Sequence, residues 1–163
     1  MEKKDRIIQM ERSVIVAADV AGLGELKSLV EAVMGVQGIG GFKIGFRMAF
    51  QDIITAVDVI KDSYGKVPII YDHQKAGNDI PDMGKGFAHD LKEAGVTAAI
   101  LFPFAGPATQ EAWTKSCFDA GFQVLTGGIM THPKFLVSEG GYIADEAVER
   151  IFRLPASLEC NIL

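Results

Sequence analysis

A chain of 163 residues, 48% apolar and 23% charged, is long enough for one domain with a sizeable core and too apolar to stay disordered. A net charge of −5 lacks the basic footprint of a nucleic-acid-binding surface, but it leaves room for an anionic small molecule, which needs only a few local cations and backbone amides. The opening MEKKDRIIQMER is too charged for a signal peptide's apolar core, and no run of about 18 uncharged apolar residues offers a membrane span, so a cytoplasmic protein is expected.

In chain order, apolar β-branched runs alternate with stretches of helical period, the pattern of βα units and a parallel sheet covered on both faces. The first strand is expected over Ser13 to Val20, followed by a helix through LGELKSLVEAVMG with Leu26, Leu29, Val30 and Val33 on one face. A second strand spans Gly41 to Phe46, and its helix, AFQDIITAVDVIKDSYG, carries Ile53, Ile54, Val57 and Ile60 as a buried stripe. The third strand, VPIIYD from Val67, leads into the polar loop HQKAGNDIPD and a helix through KGFAHDLKEAG. The fourth, TAAILF from Thr97, precedes a helix that begins after Gly106-Pro107 and ends at Gly121. A fifth strand, FQVLTG, then a long polar connection, lead to a last helix with Asp145 as its N-cap, running through EAVERIF.

This is an α/β chain of one domain over residues 1–163, and five strands suit either an open doubly wound sheet or an incomplete barrel. The open sheet would want a glycine fingerprint after the first strand; Gly22-Leu23-Gly24-Glu25-Leu26-Lys27 has two of its three glycines, with Lys27 where the third belongs, and reads as an ordinary turn and helix start. Cys117 and Cys160 lie far apart without zinc-site spacing and read as ordinary thiols.

Polar residues at the C-terminal ends of parallel strands line a common face. Here Asp19 closes the first strand, Lys43 lies inside the second, Asp72 closes the third with Lys75 and Asp79 just beyond, and Thr131-His132 follows the fifth. A charge inside an apolar strand is costly unless paired, so Lys43 calls for an acidic partner. Alternating Lys and Asp can form a structural ion-pair network at strand ends, or an array that stresses an anionic group. A substrate carboxylate beside a fixed aspartate gains by leaving as neutral carbon dioxide, and a neighbouring lysine can protonate the carbanion left behind.

The stretch PIIYDHQKAGNDIPDMG resembles the D-x-K-x-x-D-I-P signature of orotidine 5'-monophosphate decarboxylases, of the archaeal-like branch. VAADV with Asp19 is similar to the family's strand-one aspartate, GFKIG with Lys43 to its strand-two lysine, and GGIMTHP to its strand-five loop; order and spacing match from Ser13 to about Phe152. The resemblance implies a TIM (β/α)8-barrel family fold, incomplete here with about five βα units. It also implies cofactor-free, metal-free conversion of orotidine 5'-monophosphate to uridine 5'-monophosphate, in pyrimidine nucleotide synthesis. Carried over, it has Asp19 hold the ribose and places Lys43 and Asp72 in the charged network beside the substrate carboxylate. Lys75 would deliver the proton to the pyrimidine carbon. Asp79, with Ile80 beside it, would reach across a homodimer interface to the partner's ribose site, and Thr131, followed by His132, would meet the base.

Two departures stand out. The family spaces Asp and Lys by two, which points both side chains to one face, whereas Asp72 and Lys75 are three apart. Three explanations are open: the strand ends by His73 and the loop turns Lys75 back, a bulge adds the residue, or Gln74 fills the lysine position. His73 is either a polar loop residue or a site residue special to this branch. The second departure is length. A complete barrel has eight strands, and the loops after the seventh and eighth usually hold phosphate. After Arg153 the helical pattern gives way to Leu154-Pro155, and residues 154–163 read as an atypical ending, so a truncated or frame-shifted product is expected.

Two other functions compete. Magnesium-dependent sugar-phosphate decarboxylases and aldolases of the same superfamily share the strand-three acidic signature, but they typically place an acidic residue at the end of strand two, where this chain has Gly45-Phe46-Arg47. The other is a non-catalytic nucleotide-binding remnant of the barrel.

Overall fold

The β-branched runs read from the sequence form strands, and the periodic stretches between them form helices. A computed structural model describes residues 6–157 and 161–162. They fall into two compact units, one of residues 6–73 and 89–99, the other of residues 74–88 and 100 onward.

The first unit contains β1 (Val14–Ala17), α1 (Leu23–Ala32), β2 (Ile39–Gly45), α2 (Phe46–Tyr64) and β3 (Ile69–Asp72). β1 and β3 both pair in parallel with β2, setting Lys43 opposite Ala17 on one side and Ile70 on the other, and Gly45 opposite Asp72. Residue 97 extends this edge, because Thr97 N–H donates to the Ile69 carbonyl at 2.9 Å and its Oγ1 accepts from Ile69 N–H at 2.8 Å. Phe42, Ile44, Leu26, Val30, Val57 and Ile60 are buried in this unit, and such wholly buried side chains are what hold a parallel sheet to its covering helices.

Two helix readings change. In α1 only Leu26 and Val30 of the expected stripe are fully buried. α2 starts at Phe46 rather than Ala49 and is broken at Asp52, whose φ of −170° and ψ of 97° are extended. The Asp52 carboxylate accepts the Thr55 backbone N–H at 3.0 Å and the Thr55 hydroxyl at 2.6 Å, the geometry of an N-cap for the segment that follows. That cap resets the helix phase, so Ala56 joins Val57 and Ile60 in the core while Ile54 is 54% exposed.

Helix α3 (Met83–Glu93) and strand β4 (Ala98–Leu101) each run along the chain from one unit into the other. The second unit continues with α4 (Pro107–Asp119), β5 (Gln123–Thr126), a 3-10 turn (Val137–Glu139), α5 (Asp145–Ser157) and β6 (Asn161–Ile162). Gly127 N–H donates to the Leu101 carbonyl at 2.9 Å, placing the end of β5 beside β4, and β6 pairs in parallel with β5.

Asp145 is the first residue of α5, and its carboxylate accepts from the Ser138 N–H and hydroxyl, tying the 3-10 turn to the helix. The expected helix end at Arg153 is corrected, since α5 continues to Ser157 through Pro155. A proline there removes the N–H that would bond the Ile151 carbonyl four residues back. Gln110, buried on α4, supplies the donor instead, with Nε2 2.8 Å from that carbonyl. β6 adds a short sixth strand within the stretch read as an atypical ending. Cys117 is a buried thiol; Cys160 lies outside the described residues. No helix among the described residues is long and apolar enough to cross a membrane.

Candidate functional site

Side chains two apart on a strand share a face, so the β2–β3 register puts Ile70 beside Lys43 and Asp72 one step further along the same face. Lys43 Nζ spans that step and meets Asp72 Oδ2 at 2.5 Å. The lysine has the acidic partner that its apolar strand demanded. Asp72 is the more enclosed member, its side chain 9% exposed against 29% for Lys43. Gly45 permits a third charge to approach, since a Cβ there would stand 3.2 Å from the Asp72 carbonyl oxygen and 3.3 Å from Asp19 Oδ1. Asp19 itself is exposed.

His73 is more anchored than a loop residue need be. Its Nδ1 lies 3.0 Å from the Tyr71 hydroxyl, and its ring meets that of Phe46 at 5.6 Å between centroids. Tyr71 is buried, and burial first, then the Asp72 charge, pushes its phenol above the ordinary value.

In the second unit, residues 74–77 form a turn. Asn78 closes it, donating its backbone N–H to the Lys75 carbonyl at 3.1 Å and its side-chain amide to the Gln74 carbonyl at 3.0 Å. Phe102 N–H donates to the Ala76 carbonyl at 2.8 Å, and Gly77 adopts a φ of 88° against Leu101 and Phe102, so the turn is stitched to the end of β4. β3 keeps an unbroken register with β2 through Asp72, where the strand ends, so Gln74 and Lys75 both lie beyond it.

Lys75, Asp79 and His132 line one cavity of about 550 Å³, a volume in the range of small-molecule sites. Gln74 lines it too, as do Asn78 and Trp113. Asp79 is exposed, with Oδ1 accepting the Ile80 N–H at 2.7 Å; Ile80 is 61% exposed. Thr131 is exposed between the cavity residues Met130 and His132. His132 Nδ1 lies 3.0 Å from the Pro133 carbonyl, and a carbonyl can only accept, so this bond puts the proton on Nδ1. Among the described residues, no group of three or more His, Cys, Asp or Glu side chains is placed to hold a metal ion.

The sequence reading missed Trp113 and its neighbours. The signal was present in α4, where Thr109, Gln110, Trp113 and Thr114 recur at helical spacing and all are buried, an unusually polar buried face.

No family model matches the chain. It is similar to orotidine 5'-phosphate decarboxylase of Methanosarcina mazei, 29% identical over 145 residues that cover 86% of this chain and 63% of that protein. The Methanosarcina barkeri protein of the same name is 28% identical over 152 residues, covering 91% of this chain and 62% of its own length. The chain therefore spans a little under two thirds of the curated relatives it matches. In structure it resembles the orotidine 5'-monophosphate decarboxylase of Methanocaldococcus jannaschii, with a TM-score of 0.75 at 18% identity over 93% of this chain and 69% of that one. The chain has the α/β fold of that TIM-barrel protein over most of its own length, as an incomplete set of βα units.

Proposed function

We propose that this chain carries the charged array of an orotidine 5'-phosphate decarboxylase. The Lys43–Asp72 ion pair, flanked by Asp19 across Gly45, is the observation that supports this reading most strongly. Asp72, set beside the substrate carboxylate, raises the ground-state energy of that anion, and Lys43 holds Asp72 in place. The carbon–carbon bond to the carboxylate breaks, carbon dioxide leaves neutral, and the electron pair stays on the pyrimidine carbon. Lys75 then donates its ammonium proton to that carbon, giving uridine 5'-monophosphate.

Asp19 holds the ribose, Thr131 and His132 meet the base, and Asp79 and Ile80 reach a partner's ribose site in a cytoplasmic homodimer. The chemistry of this array calls on neither metal nor organic cofactor. The test is to incubate the purified chain with orotidine 5'-monophosphate, with and without chelator, while following pyrimidine absorbance. Chelator-insensitive loss of substrate is expected. Turnover that chelator abolishes, or none at all, would overturn the reading.

A further inference from the structure

Asp79 and Ile80 are exposed, yet the backbone that carries them is tied down from behind. Thr109, 4% exposed on α4, donates its hydroxyl to the Asp79 carbonyl at 2.8 Å. Trp113, one helical turn further on and 5% exposed, donates Nε1–H to the Ile80 carbonyl at 3.0 Å. Two successive peptide carbonyls are thus held by two side chains four apart on one helix face, the spacing at which helical residues stand one above the other. The indole is fixed in turn. It packs against Phe87 with centroids 4.8 Å apart, and a Cβ on Gly84 would stand 2.9 Å from the Trp113 Cα, so α3 begins directly against α4.

We infer that Thr109 and Trp113 are positioning residues that preset the Asp79–Ile80 segment for ligand contact. A segment held this way presents its carboxylate to a ligand without the ordering cost that a free loop incurs on binding. Trp113 both anchors the segment and lines the cavity that Asp79 also lines. The role in ligand binding rests on the proposed function of Asp79; the mechanical clamp does not.

Three variants test it: Thr109→Val, which keeps shape and loses the hydroxyl, Thr109→Ser, which restores it, and Trp113→Phe, which keeps an aromatic ring and loses the N–H. Amide hydrogen exchange is read across residues 79–84, alongside urea midpoint and steady-state kinetics with orotidine 5'-monophosphate. Thr109→Val and Trp113→Phe should each speed exchange in that segment about fivefold or more and raise KM by a similar factor, with kcat within about twofold of the parent. Thr109→Ser should return both to parent values. Exchange unchanged in Thr109→Val and Trp113→Phe overturns the clamp, and faster exchange with KM unmoved in an active parent overturns its role in positioning the ligand contact. A parent with no turnover, but with the exchange effect and its rescue by Ser, leaves the clamp standing and sinks only the functional reading.

Discussion

Lys43 Nζ and Asp72 Oδ2 meet at 2.5 Å across two parallel strands, 29 residues apart in sequence. The Lys115–Asp119 and Arg153–Glu149 pairs, by contrast, join residues four apart on exposed helix faces, where such pairs contribute little. The strand-end pair is half enclosed, and removing one partner leaves the other charge poorly solvated.

Lys43→Met should therefore lower stability by about 2 kcal/mol, between the values for exposed and buried pairs. Adding Asp72→Asn should cost much less than it does alone, because the two changes share one interaction. Urea denaturation of the two single variants and the double variant measures this coupling. Additive losses would show that the pair stores no interaction energy.

Gly45→Ala should cost about 1 kcal/mol by crowding. The new methyl meets the Asp72 carbonyl, which the strand register holds, and the Asp19 carboxylate, which can move away. The variant should thus displace Asp19 and leave the Lys43–Asp72 pair in place. A crystal structure or the Asp19 carboxylate NMR shift in the variant checks this.

Sequence alone showed that Lys43 needed an acidic partner, because a lysine among apolar strand neighbours has few other solutions. The family resemblance grouped Lys43 with Asp72, and the register that brings the two side chains together is encoded by nothing local. The strands and most helices were readable as apolar runs and 3.6-residue periods. The kink in α2 was masked because Ile53, Val57 and Ile60 keep an apolar helical rhythm directly after Asp52, although Asp52 and Thr55 together spell a helix cap. The end of α5 was misplaced for a non-local reason: Pro155 forfeits a hydrogen bond that Gln110, on another helix, replaces. The candidate site charges were legible as polar residues at and just beyond strand ends; the buried Thr109 and Trp113 behind the Asp79–Ile80 backbone read as ordinary helix residues.

The capping role of Asp52 carries a pH signature. Bonds from the Thr55 hydroxyl and then the Thr55 N–H hold its carboxyl below the ordinary aspartate value. A folded-state value that is depressed contributes stability above the unfolded value and loses it as pH falls through the folded one. Asp52→Ala should lower the thermal midpoint at neutral pH, and its difference from the parent should shrink as the solution is acidified through the aspartate range. A difference independent of pH would contradict this.

Gln110→Leu should strand the Ile151 carbonyl in the interior and cost about 1–3 kcal/mol. Adding Pro155→Ala restores a backbone N–H to that carbonyl and should recover much of the loss. Denaturation midpoints of the single and double variants decide this, and a double variant no better than Gln110→Leu would refute the compensation.

In the proposed reaction the Lys75 ammonium supplies the proton that replaces the departing carbon dioxide. Its most direct test is turnover of orotidine 5'-monophosphate by Lys75→Ala beside the parent chain, with carbon dioxide release measured at saturating substrate. Parent turnover should run in step with carbon dioxide release, and the variant should be slower by about 10²- to 10⁴-fold. A Lys75→Ala chain as fast as the parent would contradict it.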